Sequence, residues 1–122
     1  MTLPITAEFA RHFADDWIAA WNAHDLARIL GHYTDDFEMS SPVIVALAGE
    51  PSGKLKGKAA VSAYWTTALA RAPNLHFELI AVMAGVDSVT IHYRGHRGLS
   101  AEVFHFAPDG RVRAAFAHYA GQ

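Results

Sequence analysis

Residues 19–37 read Ala19-Ala20-Trp21-Asn22-Ala23-His24-Asp25-Leu26-Ala27-Arg28-Ile29-Leu30-Gly31-His32-Tyr33-Thr34-Asp35-Asp36-Phe37. Two short apolar runs flank a polar corner, and the segment closes on a Tyr followed by two acids. The corner reads as one helix ending and another beginning. Asp25 can cap a short second helix that runs through Leu30 and stops at Gly31. Upstream, Thr6 is placed to cap the first helix, and Glu8 sits near its positive end. Phe9, Phe13, Trp17, Ala20 and Trp21 fall at helical spacing, which predicts a helix from Ala7 to Ala23.

Downstream, Phe37 and Met39 predict a first strand that ends at Pro42. Residues 40–57 hold two Pro and three Gly around an apolar centre, Val43 to Leu47. They read as a long loop of the kind that forms lids or binding loops, its centre covered by a pocket mouth or a second subunit. A third helix follows Gly57, with Val61, Tyr64, Trp65, Ala68 and Leu69 as its stripe and Pro73 past its end. Four strands complete the chain: Leu75 to Ala84, Ser88 to Arg94, Leu99 to Phe106 and Arg111 to Tyr119. Pro108-Asp109-Gly110 is a strong turn signal between the last two. Helices first and strands after predict an α+β domain. The helices fill the concave side of a curved antiparallel sheet, and incomplete filling leaves a pocket.

The 122 residues fit one domain. With 52% hydrophobic and 18% charged residues, the chain is globular rather than disordered. The net charge of −2 gives no reason to expect a nucleic-acid or membrane partner. Arg94, Arg97, Arg111 and Arg113 are interleaved with acids and glycines and read as a solvated strand edge. There is no Cys, which excludes disulfides, thiolate metal sites and a Cys nucleophile, and suits the cytoplasm. Met1 to Phe13 has no basic region followed by an apolar run, so no signal peptide is expected. No apolar run is long enough to span a bilayer.

Trp21 to Pro42, Leu55 to Trp65 and Glu102 to Val112, in that order and spacing, resemble the nuclear transport factor two-like superfamily. The likeness is closest to its SnoaL-like and ketosteroid-isomerase-like small proteins and covers almost the whole chain. The resemblance implies a cone-shaped, mixed sheet wrapped around three N-terminal-half helices, an apolar pocket, and a homodimer through the sheet. It implies activities from isomerase and cyclase to dehydratase and epoxide hydrolase, or binding alone, so fold does not choose the chemistry. The general-base Asp of the ketosteroid isomerases falls on Ser41, which cannot act as that base. Their hydrogen-bonding Tyr falls on Trp17. Their protonated acid falls on Glu102, one methylene longer. The Asp-Arg-Asp set of the superfamily's epoxide hydrolases finds no counterpart.

Alternation in Leu99 to Phe106 puts Glu102 on one face with Ser100, Phe104 and Phe106. A carboxyl among aromatics is desolvated, its pKa rises, and it can act as general acid or neutral donor. The competing reading places the two Phe at a subunit interface and Glu102 in water nearby. Tyr33 is a second candidate catalytic residue, as a donor beside Asp35 or Asp36. Its alternative is plain core packing, with the acids at a turn. The expected ligand-binding set is Trp17, Trp21, Tyr33, Tyr64, Trp65, Glu102 and Tyr119, each with core packing as its alternative. In the last strand, alternation groups Arg113, Ala115, Ala117 and Tyr119 on one face and Val112, Ala114, Phe116 and His118 on the other. The resemblance favours the Tyr119 face as inward and the Phe116 face for dimer burial.

Eight His residues call for a metal check. His92 and His96 stand roughly 13 Å apart on a strand, and no set of three or four converging ligands is evident, so no metal is expected. His76, His92, His105 and His118 read as surface or core residues, one of which could act as a base if it met Glu102. Three functions compete. The first is a cofactor-independent isomerase, cyclase or lyase acting on an apolar carbonyl or polyketide-like compound. The second is a protein that binds a small apolar molecule without turnover. The third is a dimerisation module with a filled cone.

Overall fold

The computed structural model describes residues 5–120. The first helix, α1 (Ala7–Asn22), begins where the Thr6 hydroxyl accepts the Phe9 amide at 3.0 Å. Its buried stripe is Ala10, Phe13, Ala14, Trp17, Ala20 and Trp21, the spacing expected of one helix face. At the corner His24 takes a φ of 54°, and its Nε2 lies 2.9 Å from the Leu75 carbonyl oxygen. The Asp25 carboxylate accepts the Arg28 amide at 3.1 Å and opens α2 (Leu26–Leu30). The corner is therefore a helix end, a left-handed residue and a new cap.

Asn22 ties this corner to the far side of the chain. Its Nδ2 donates to the Phe77 carbonyl at 3.0 Å, and its Oδ1 accepts the Phe77 amide at 2.6 Å. Asn22→Ala leaves both backbone groups without a partner and is expected to cost about 2–3 kcal/mol. Urea denaturation reads this directly, and an unchanged midpoint would remove Asn22 from the account. The same pair explains a difference from the sequence reading. Leu75 to Phe77 lie outside β3 (Glu78–Ala84), because the Phe77 backbone groups are held by Asn22.

Strand β1 (Tyr33–Ser40) starts four residues before Phe37, the start read from the sequence. Tyr33 pairs with Val112 and Glu38 with Ala114, so β1 bulges between them. The exposed acids Asp35 and Asp36 lie in that bulge. Irregular pairing spoils alternation, and that hides the strand's first half.

The expected loop at residues 40–57 also holds structure. Ser41 caps a seven-residue helix, α3 (Pro42–Ala48), its hydroxyl accepting the Val43 amide at 3.1 Å. Pro42 at the first turn and Gly49 at a φ of 69° bound it. A short strand, β2 (Lys54–Lys56), follows and pairs with β1. A Val/Ile-rich run this short does not distinguish helix from strand or loop.

Helix α4 (Lys58–Arg71) buries Val61, Tyr64 and Trp65. Strands β4 (Ser88–Gly95), β5 (Gly98–Phe106) and β6 (Val112–Tyr119) extend β3 as a meander. The six-stranded sheet runs β2-β1-β6-β5-β4-β3 and is not closed. Among the described residues only β1 and β6 are parallel, so the sheet is mixed. The α+β architecture is the one expected.

In β6 the inward face carries Ala115 and Ala117, both buried, with Tyr119 following in the same alternation. The grouping of Arg113 with them, and of Val112 with Phe116, is corrected. A bulge opposite His105 and Phe106 makes Arg113 the extra residue, so Val112 turns inward and is fully buried. Aromatic edges join helix to sheet: Phe13 meets Phe104 at 4.9 Å and Phe106 at 5.0 Å, and Phe9 meets Phe106 at 5.1 Å. Among the described residues no helix is long and apolar enough to cross a membrane.

Candidate functional site

The helices leave a cavity of about 270 Å³ against the sheet. Helix α1 contributes Trp17 and Trp21, and α4 contributes Tyr64 and Trp65. Val43 and Leu47 of α3 line one side, so the apolar centre of residues 40–57 is covered there in part, and Val45 stays 47% exposed. The sheet supplies Met39, Tyr93, Ser100, Glu102 and Tyr119. Arg71, His96 and Arg97 also line it, and all three are exposed.

Glu102 is the one acid on this wall. Alternation along β5 turns Ser100, Glu102, Phe104 and Phe106 inward together, and Glu102 is 4% exposed. The Tyr93 hydroxyl donates to Glu102 Oε1 at 3.3 Å. Burial raises the Glu102 carboxyl and the Tyr93 hydrogen bond pulls it back in part, leaving it at about 8. At pH 7 about nine in ten molecules therefore hold it neutral.

All four tyrosines of the chain feel this carboxylate. Burial raises the phenols of Tyr33, Tyr64, Tyr93 and Tyr119, and the Glu102 charge raises each further. Nearby Ser41 partly offsets this at Tyr64 and Tyr119. The phenols stay protonated at any physiological pH. A dry wall of neutral donors suits a carbonyl oxygen, and suits it better as charge develops there.

Six residues of the expected binding set line the cavity: Trp17, Trp21, Tyr64, Trp65, Glu102 and Tyr119. Tyr33 is different. It is fully buried and not on the wall, and its hydroxyl accepts the Trp17 indole N–H at 3.0 Å. Tyr33 thus reaches the site through Trp17, and Asp35 and Asp36 are exposed. Tyr93 takes the donor position beside the carboxylate. The signal for it was present: Val89, Ile91 and Tyr93 alternate inward, and Tyr93 pairs with Ser100 across from β5. Tyr93→Phe removes a bond to the ionised form and is expected to push the Glu102 carboxyl further above 8. A lower value by carbon-13 NMR would contradict the assignment.

Ser41 and Ser100 are both buried, with Ser41 capping α3 and Ser100 Oγ donating to the Gly98 carbonyl at 3.2 Å. No His stands against Glu102; His96 alone among the described histidines lines the cavity. No three His, Asp or Glu converge as metal ligands do among the described residues.

Residues 14–120 match a family model described as the SnoaL-like domain. A SnoaL-like protein of unknown function from Burkholderia thailandensis is 66% identical, with 97% of this chain and 99% of that one covered and a TM-score of 0.93. Two distant structures share the fold. SalBIII, an epoxide hydrolase/cyclase-like enzyme in pyran ring formation of the polyether salinomycin, is 16% identical, with 93% and 92% covered and a TM-score of 0.74. A candidate polyketide cyclase from Sinorhizobium meliloti is 12% identical, with 93% and 100% covered and a TM-score of 0.73. No curated protein matches the sequence.

Proposed function

As the chain belongs to the SnoaL-like domain family, we propose that it binds a small apolar carbonyl compound and moves a proton on it without a cofactor. The observation that carries the reading is a buried carboxyl, raised to about 8, on the wall of an aromatic cavity with the Tyr93 hydroxyl against it. A group titrating near neutrality can both take and give a proton. The ionised tenth of Glu102 removes a proton from carbon next to the carbonyl. The Tyr119 hydroxyl hydrogen-bonds the enolate oxygen, while Tyr93 stays on the Glu102 carboxyl. Glu102, now protonated, returns the proton to another carbon, to an alkoxide formed by ring closure, or to a departing oxygen. These outcomes are isomerisation, cyclisation and elimination. The cyclase descriptions of the distant neighbours favour a polyketide-like substrate.

Exchange of α-protons of 2-tetralone in D₂O, followed by proton NMR, tests the proton step. Wild type should accelerate exchange, and Glu102→Gln should abolish that acceleration while still binding. Binding by wild type with no acceleration would favour the non-catalytic reading, which the single carboxyl on the wall, with Ser41 spent on a cap, already supports.

The reading includes a homodimer through the outer sheet face. Met83, 54% exposed, stands in register with Thr90, Val103 and Phe116 across four strands. Sedimentation should give twice the chain mass, and Phe116→Asp should halve it; a wild-type monomer would remove the dimer from the proposal.

A further inference from the structure

Four arginines stand between residues 94 and 113. Three face acids: Arg94 with Glu78 at 3.9 Å, Arg111 with Asp109 at 2.9 Å and Arg113 with Asp87 at 3.7 Å. Arg97 has no acidic partner among the described residues and lines the cavity instead. It stands in the β4–β5 turn beside Gly98, whose φ of 84° closes the hairpin. Arg71, in the last turn of α4, also lines the cavity, and it too forms no ion pair among the described residues. Arg71 complements the negative end of its helix, but Arg97 has no such role. The Arg97 charge reaches inward, lowering the phenols of Tyr64 and Tyr119. The chain is acidic overall, at −2, yet among the described residues the cavity lining carries two exposed guanidinium groups and no exposed acid.

We propose that the ligand is an amphipathic carboxylate, its apolar carbonyl-bearing body inside the cavity and its carboxylate held at the mouth by Arg71 and Arg97. This rests on the cavity being the ligand site. Guanidinium groups match carboxylate geometry with paired hydrogen bonds, and a mouth partly open to water lets the charge keep some hydration. The two ends then fix orientation: the neutral donors at Glu102 take the carbonyl, and the arginines take the charge.

Matched probes that differ only in charge test this. 1-Naphthaleneacetate and 1-naphthaleneacetamide, with the smaller phenylacetate and phenylacetamide, would be titrated at pH 7.5 by calorimetry and by NMR of the Trp17 and Trp21 indole signals. Arg71 and Arg97 are exposed, so the double variant Arg71→Gln/Arg97→Gln keeps the fold. Expected is about tenfold tighter binding of each carboxylate than of its amide, levelled in the double variant and weakened by salt. Equal affinities with shifted indole signals would overturn the carboxylate inference and leave the cavity reading standing. Unmoved indole signals with all four probes would overturn the cavity reading, and the inference with it.

Discussion

Glu102→Gln is expected to make the protein more stable at pH 9 by about 4–5 kcal/mol while abolishing the proposed proton exchange. The folded carboxyl titrates at about 8 against an ordinary value of 4.5. Between those values the folded chain holds a proton that the unfolded chain has released. Stability therefore falls as pH rises through that window, and the loss is complete above about 8. At about 1.4 kcal/mol for each tenfold change in proton affinity, the window spans the figure given. Gln has the same shape, still accepts from Tyr93, and cannot ionise. Its stability should lack this slope, matching wild type near pH 4 and exceeding it at pH 9. Urea denaturation at several pH values reads the difference, and parallel profiles for the two proteins would contradict the buried, raised carboxyl. A gain in stability coupled to a loss of the proposed proton exchange would mark a group kept for chemistry at a structural cost.

Trp17→Ala should produce the largest loss of stability, about 3–5 kcal/mol. The residue is 1% exposed and stands at the centre of the aromatic cluster. Its ring lies 5.6 Å from Phe77, 5.4 Å from Tyr93 and 5.3 Å from Phe104. Removing it strips those contacts, merges the space with the existing cavity and takes the donor away from the buried Tyr33 hydroxyl. Trp17→Phe should retain part of the packing and lose less. A loss below about 1 kcal/mol for the alanine variant would show that the cluster collapses around the gap. Because Tyr33 is fully buried behind Trp17 and Trp65 and is not on the cavity wall, Tyr33→Phe should perturb stability more than proton exchange.

Sequence patterns revealed what local periodicity controls. The α1 stripe, the Asp25 cap and the Pro108-Asp109-Gly110 turn are each written within a few residues, and each stands as expected. Alternation alone placed Glu102 among Phe104 and Phe106, and the structure buries all three. What stayed hidden depends on distant partners. The start of β1 is set by Val112 and the phase of β6 by the bulge against β5. Helix α3 is too short for its period to show. Arg97 read as a solvated edge because acids and glycines interleave the four arginines in sequence. Its place on the cavity wall and its lack of an acidic partner among the described residues separate it from Arg94, Arg111 and Arg113.

The carboxyl titration of Glu102, by side-chain carbon-13 NMR with Glu102→Gln for assignment, tests the central claim most directly. The account predicts a midpoint near 8. A midpoint near the model-peptide value of about 4.3 would describe a solvated or paired carboxylate and would contradict both the dry site and the proton-moving role built on it.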